Sequence, residues 1–159
     1  MSLKIRRVVT GHDENGKAVV LTDEICKNVI SGRKGAQSTV VWSTGEFPAD
    51  NSSGEDGGAR KPATTDPKGS VFRIVQYEPG VAPRVHRTDS IDYAVVMSGE
   101  IDMELDDGVA VHLKQGDVVV QRGTIHNWIN RGSVPCTIAF SLIAAHPVQT
   151  GGRVLLAMG

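Results

Sequence analysis

The sequence has little cysteine and no excess of either charge. Cys26 and Cys136 are its two thiols in 159 residues, so we expect buried, reduced cysteines rather than a disulfide scaffold. Lys and Arg number 17 against 18 Asp and Glu. This balance excludes the basic patch that is typical of nucleic-acid-binding proteins and of proteins at anionic membrane surfaces.

Long apolar runs are also missing. No stretch approaches the ~20 residues that a membrane-spanning helix needs. The first residues, MSLKIRRVVTGHDENG, contain no apolar core of the kind found in signal peptides. We therefore expect a cytoplasmic protein, and its length favours one domain over two.

Turn residues are plentiful, with 18 Gly and 7 Pro separating short runs rich in Val and Ile. Runs of this kind at intervals of roughly 8–12 residues predict an all-β sandwich or barrel. Only Asp23–Ser31 has the pattern of a short amphipathic helical turn. The predicted strands are Lys4–Thr10, Lys17–Thr22, Ser38–Ser43, Ser70–Tyr77, Asp92–Met97, Glu100–Leu105, Val109–Leu113, Asp117–Gln121 and Pro135–Ile143.

Alternation of apolar and polar residues predicts which way these strands face. Ile101, Met103 and Leu105 share one face of their strand, which we expect to meet the core. By the same pattern Val109, Val111 and Leu113 point inward and His112 points outward. The consecutive valines of Asp117–Gln121 predict a strand buried on both faces.

The segment Ala49–Ser70 contains no Val, Ile, Leu, Met or aromatic residue. It cannot contribute to a core, so it is predicted to be a long surface loop. Long loops inside a domain are often functional, and a lid over a binding site is the functional alternative to a mobile surface segment.

One stretch carries a recognisable motif. Gly80 is followed after five residues by His86, and then by Thr88, Asp92 and Gly99. The stretch resembles the first motif of the cupin superfamily, which has Gly, five residues, His-x-His, three or four residues, Glu, six residues and Gly. The spacing matches, while Thr88 replaces the second His and Asp92 replaces the Glu.

A second stretch resembles the second cupin motif. It begins at Gly116, continues through Gln121 and Gly123, and ends with His126 and Asn130. Gln121 stands where the motif has proline, with one residue fewer before it. The resemblance implies a small, single-domain, RmlC-like cupin of the cupin-2 type.

The implied fold is a double-stranded β-helix, the jelly-roll barrel, with an N-terminal β-hairpin arm. Within a single domain spanning residues 1–159, the layout is an arm at 1–48, a flexible loop at 49–70, a barrel core at 71–145 and a tail at 146–159. An exposed edge on the Lys4–Thr22 hairpin favours pairing with a second subunit, so a homodimer is expected.

The candidate metal ligands are His86, Asp92 and His126. If both motif strands line one barrel, two imidazoles and a carboxylate converge there, a set that suits Fe(II) and also Zn, Mn or Ni. Three protein ligands leave positions open for water, dioxygen or substrate. In the alternative, the site has lost its metal, and His86 and Asp92 bond to each other in a polar pocket for a small molecule.

Four residues are candidates for substrate binding. Arg84 shares the inward face with His86 and would pair with a carboxylate or phenolate, or else form a salt bridge at the barrel mouth. Thr88 would bond a water or a substrate oxygen. Trp128 would wall a planar ligand or pack in the core, and Gln121 is a candidate polar group of the pocket.

Two functions follow from these residues. The first is a metal-dependent enzyme of oxygenase, isomerase, decarboxylase or lyase type that acts on a small organic substrate. The second is a metal-free, non-catalytic cupin that binds a small ligand, with a regulatory role. The catalytic residues and the substrate are not specified by either motif.

Overall fold

The short apolar runs form antiparallel strands in the computed structural model, which describes residues 3–159. The only helical element within this range is a single 3-10 turn at Asp106–Gly108, and the prediction of an all-β fold is confirmed. No helix that is long and apolar enough to cross a membrane is found in residues 3–159. The strands are β1 (Arg6–His12), β2 (Ala18–Ile25), β3 (Ile30–Arg33), β4 (Ala36–Thr44), β5 (Ser70–Tyr77), β6 (Ser90–Ser98), β7 (Glu100–Glu104), β8 (Ala110–Lys114), β9 (Val118–Arg122), β10 (Asn127–Ile129), β11 (Cys136–Ala144), β12 (Val148–Thr150) and β13 (Arg153–Leu155).

Two sheets make the barrel. One has the order β3-β4-β5-β11-β6-β9 and the other has the order β10-β7-β8. Apolar side chains from both sheets, such as Val71, Ile101 and Ile138, are almost fully buried in one core. The arrangement is a double-stranded β-helix, and β1 and β2 form the predicted N-terminal hairpin outside it.

The predicted facing of the strands is confirmed at β7 and wrong at two other strands. Ile101 and Met103 of β7 are buried. On β8, however, Val111 is exposed beside the buried Leu113, and on β9 Val118 and Val120 are 70% and 61% exposed. Both strands lie at the edge of their sheets. On β9 the face with Val118 and Val120 is open to solvent, whereas on β8 the face with Val111 and Leu113 is covered only at the Leu113 end.

The predicted helical turn over Asp23–Ser31 is wrong. Asp23 and Glu24 extend β2, where they lie opposite Val8 and Arg7 of β1. Ion pairs between the two strands stabilise this extended pairing: Arg6 bonds Asp23 at 2.7 Å and Arg7 bonds Glu24 at 2.8 Å. These contacts between distant residues outweigh the weak helical pattern.

The long loop between β4 and β5 is held against the molecule by polar contacts. The guanidinium of Arg7, 8% exposed, donates to both carboxylate oxygens of Asp56 at 2.8 and 2.6 Å. The Ser43 hydroxyl donates to the carbonyl oxygen of Gly57 at 2.9 Å. The loop has no strand of its own, as predicted from its composition. Its residues Ala63 and Thr64 reach the mouth of the barrel, where they contact Arg73 and Arg84.

Candidate active site

Two histidines from distant parts of the sequence meet inside the barrel. The backbones of His86 and His126 form an antiparallel bridge, with both N–H···O distances at 3.0 Å. Their imidazole rings lie side by side, with centroids 4.1 Å apart and planes inclined by 51°. Both residues are buried, so the two motifs contribute one imidazole each to a common site.

The hydrogen bonds of the two rings determine which nitrogen faces the site. Nδ1 of His86 lies 3.0 Å from the carbonyl oxygen of Arg84, and Nδ1 of His126 lies 3.0 Å from that of Thr124. A carbonyl oxygen only accepts, so each Nδ1 carries the proton and each Nε2 keeps its lone pair.

Burial keeps both imidazoles neutral. It lowers the pKa of His86 to about 4, with a further contribution from the neighbouring His126. It also lowers the pKa of His126, against the opposing effect of the Thr124 carbonyl. At neutral pH the pair therefore presents two uncharged nitrogen acceptors.

Asp92 lines the same cavity but is bonded elsewhere. Its side chain shares one face of the chain with those of Thr88 and Ser90, because the three stand at every second position leading into β6, and all three are buried. The Ser90 hydroxyl lies 2.5 Å from the Asp92 carboxylate and 2.9 Å from the Thr88 hydroxyl. Burial raises the pKa of Asp92, and the Ser90 hydrogen bond opposes this rise. Asp92 thus bonds to Ser90 and not to His86.

The histidine pair opens into a cavity of about 300 Å³. This volume is at the small end of the range for ligand pockets. Trp128 forms part of its wall, 2% exposed, with Tyr77 stacked at 6.2 Å and Phe140 edge-on at 5.6 Å between ring centroids. Trp128 therefore packs in the core and lines the cavity at once.

Three arginines line this cavity, of which the sequence predicted one. The Arg84 side chain donates to the Thr64 hydroxyl and to the main-chain oxygen of Gly159, each at 3.1 Å, and no ion pair with an Asp or Glu side chain is found for it among the described residues. Arg33 and Arg73 were missed. The available signal was alternation, because Arg73 stands between Val71 and Val75 on the inward face of β5.

Two predicted site residues lie behind the cavity wall. The Gln121 amide, 4% exposed, donates to the sulfur of Met103 at 3.6 Å. Thr88 contacts Ser90, as described. Neither side chain lines the cavity, so each is placed to support the site rather than to touch a ligand.

The described side chains at the cavity offer a divalent metal ion two imidazole ligands and no third one. Over residues 3–159, no three His, Cys, Asp or Glu side chains form a group that could hold a metal ion. The two imidazoles meet, while Asp92 is bonded to Ser90. Catalytic metal sites usually have three protein ligands, so the side chains as placed do not fit such a centre. The predicted triad of His86, Asp92 and His126 stays a prediction.

A larger depression, of about 1020 Å³, lies between the β1–β2 hairpin, the end of β4 and the long loop. Glycines and small polar residues make up much of its lining, and His12 is its one histidine. One of its carboxylates, Asp56, is already paired with Arg7. The barrel cavity is the better candidate site because converging imidazoles are found there.

Comparison with known proteins identifies close relatives in fungi. The Cupin domain family (Cupin_2) matches residues 73–143. Phomopsin biosynthesis cluster protein C' of Diaporthe leptostromiformis is 38% identical, over 94% of this chain and 83% of that protein. Cupin-domain-containing oxidoreductase fogC of Aspergillus ruber is 34% identical, over 94% of this chain and 77% of that protein.

The fold is shared with a solved structure as well. An uncharacterized conserved protein with a double-stranded β-helix domain from Klebsiella pneumoniae superimposes with a TM-score of 0.51. The alignment covers 84% of this chain and 93% of that chain, at 21% sequence identity. At this identity the likeness concerns the fold alone.

Proposed function

Because the chain belongs to the cupin family, we propose that it is an oxidoreductase-type enzyme that converts a small organic molecule bound in the barrel cavity. The observation that carries the proposal is the pairing of His86 and His126, whose Nε2 atoms are left without backbone partners at one cavity. Relatives named as cupin-domain-containing oxidoreductases and as members of biosynthesis clusters support the enzymatic role.

The residues of the cavity have distinct tasks in this proposal. Each of the two neutral imidazoles accepts a hydrogen bond from a separate donor group of the substrate, and together they orient it. Trp128 and Phe140 contact its carbon skeleton and exclude water. The chain's own contribution to the reaction is thus binding, orientation and a dry cavity.

The proposed cofactor is a divalent ion, Fe, Zn, Mn or Ni, held by His86 and His126. Asp92 would complete the ligand set only after exchanging Ser90 for the ion. The side chains as placed do not fit a three-ligand centre, so binding and orientation of the substrate depend on the chain's own residues.

A metal-free small-ligand binder is the second candidate function. The bond between Asp92 and Ser90 favours it, because the carboxylate is then already satisfied without an ion. In this form of the proposal the imidazole pair only binds the ligand, and the protein has a regulatory role.

Metal content separates the two candidates. The wild type, His86→Ala, His126→Ala and the exposed control His146→Ala are each reconstituted with Fe(II), Zn, Mn or Ni and analysed for bound metal. Stoichiometric ion in the wild type and His146→Ala, lost from both site variants, supports the metal enzyme. A wild type that holds none of the four ions supports the metal-free protein.

Turnover tests the enzymatic role itself. Small oxygenated organic compounds are incubated with the wild type and with a His86→Ala/His126→Ala double variant, and changes in mass are followed. Conversion by the wild type alone supports the enzyme, whereas binding without conversion supports the regulatory candidate.

The proposal includes a homodimer formed through the N-terminal hairpin. Val20 and Leu21 of β2 are 60% and 63% exposed, and Val8 of β1 is half exposed. Burial of these side chains against a second copy would remove apolar surface from water. Light scattering on the full chain measures the oligomeric state, and substitution of Leu21 by Lys is expected to shift it toward monomer.

A further inference from the structure

The barrel cavity is lined by arginines that form no ion pair with an Asp or Glu side chain. Arg33, Arg73 and Arg84 all face the cavity of the imidazole pair. In the described part of the chain, none of the three lies within ion-pair distance of an Asp or Glu side chain. Four other arginines each have a carboxylate within 3.2 Å, namely Arg6, Arg7, Arg60 and Arg131.

The cavity arginines use few of their donors. Arg33 donates to the carbonyl oxygen of Ala82 at 2.7 Å, and Arg73 donates to that of Ala63 at 2.7 Å. The Nε atom of Arg73 is buried and has no hydrogen-bond partner. Because a guanidinium carries five N–H donors in a fixed fork, Arg73 and Arg84 have donors to spare on the side of the cavity.

The three positive charges lie close together. Burial is the main cause that lowers the pKa of Arg33 and Arg73, and the charge of Arg84 lowers both further, while the charge of Asp92 opposes this fall at Arg73. Asp92 is the one acidic side chain in the lining, and it is bonded to Ser90. The chain as a whole has a net charge of −1. The excess of positive charge is therefore a local property of the cavity and not of the whole protein.

The remaining wall is apolar and aromatic. Trp128 and Phe140 stand edge to face beside Leu142, and Arg33 lies over the ring of Tyr77 at 5.7 Å from its centroid. Positive charge at one side and ring faces at the other match a compact molecule that has one anionic group and an apolar body. Arginine binds carboxylates with two parallel hydrogen bonds, which makes it the usual partner of that group.

We propose that the barrel cavity binds a small organic acid, with its carboxylate on Arg73 and Arg84 and its carbon skeleton against Trp128 and Phe140. This inference rests on the proposed function and names its substrate class. The bound acid takes the place of the loop oxygens of Ala63 and Thr64 as partner of the two guanidiniums. The rest of the molecule extends toward the imidazole pair.

Benzoate is a probe of this site, and benzamide is its uncharged counterpart of nearly the same shape. Binding of both is measured by titration calorimetry to the wild type, Arg73→Gln, Arg84→Gln and the surface control Arg131→Gln. We expect benzoate to bind the wild type about tenfold or more tighter than benzamide, in line with charge-assisted hydrogen bonds. Each cavity variant is expected to lose about that factor, and the control none.

Lysine variants distinguish the loss of a binding group from a folding defect. Arg73→Lys and Arg84→Lys keep the charge, so they are expected to retain part of the benzoate affinity if the glutamine variants lose it, with circular dichroism reporting the fold. Equal binding of benzoate and benzamide by the wild type, no detectable benzoate binding, or unchanged binding in both glutamine variants would overturn the proposal.

These outcomes are independent of turnover. Arginine-dependent benzoate binding without conversion of any acid would leave the acid site standing and refute the enzyme. Conversion of neutral compounds only, with benzoate bound no better than benzamide, would leave the enzyme standing and refute the acid site.

Discussion

Asn130 ends the second motif, and its side chain holds the barrel together rather than facing the cavity. It is 1% exposed. Its amide donates to the carbonyl oxygens of Tyr77 and Val134 at 2.9 and 2.8 Å, and its oxygen accepts from the Gly132 N–H at 2.9 Å. One side chain thereby links the end of β5 to the turn before β11.

Substitution of Asn130 by Ala removes all three hydrogen bonds. At a net value of about 1 kcal/mol each, the free energy of unfolding should fall by about 3 kcal/mol. For a chain of this length, the midpoint of thermal unfolding should fall by about 6–12 °C. Urea unfolding followed by tryptophan fluorescence and circular dichroism measures the change.

Asn130→Asp distinguishes the hydrogen bonds from the lost volume, because Asp has nearly the same shape. It keeps the acceptor for Gly132 but turns an oxygen toward two carbonyls, so at neutral pH it should cost at least as much as Ala. The exposed Asn51→Ala is the control, expected within about 0.5 kcal/mol of the wild type. A loss below about 1 kcal/mol in both Asn130 variants would refute this reasoning.

Three further predictions concern other parts of the fold. Gly99 has φ = 74° and a Cβ there would lie 2.5 Å from the carbonyl oxygen of Pro135, so Gly99→Ala should lower the free energy of urea unfolding by at least about 1–2 kcal/mol; an unchanged midpoint would contradict this. A hydrogen bond from His112 to Asp102 at 2.8 Å raises the imidazole pKa, so its stabilising effect is present below the ordinary histidine pKa and is lost as the pH rises through the higher folded value. Proton NMR titration should find that raised pKa and its return toward the ordinary value in Asp102→Asn; equal values in the two proteins would refute the assignment. Burial raises the pKa of the Cys136 thiol to about 11, so a thiol reagent at mildly alkaline pH should modify Cys136 only after unfolding, and rapid labelling of the native protein would disprove the expectation.

Much of the fold was predictable because its signals are local. Val- and Ile-rich runs between glycine turns specify strands from a few residues at a time, and the two motifs supplied the pairing between strands that are far apart in the sequence. His86 and His126 were expected to converge on this basis, and they do. The predictions failed where one strand lies at a sheet edge, as with Val118, or where distant charges decide, as with Arg7 and Glu24.

The all-β class, the cupin resemblance and the meeting of two imidazoles could be inferred from the order of residues, since spacing along a strand fixes which side chains share a face. The hydrogen-bond and charge partners of those side chains became known from the folded chain alone. The fold bonds Asp92 to Ser90, and it places Arg73 of β5 and Arg84 of the segment before β6 in the lining of one cavity. The physical reason is that hydrogen bonds and Coulomb energies act over a few ångströms in space, between groups that the order of residues keeps far apart.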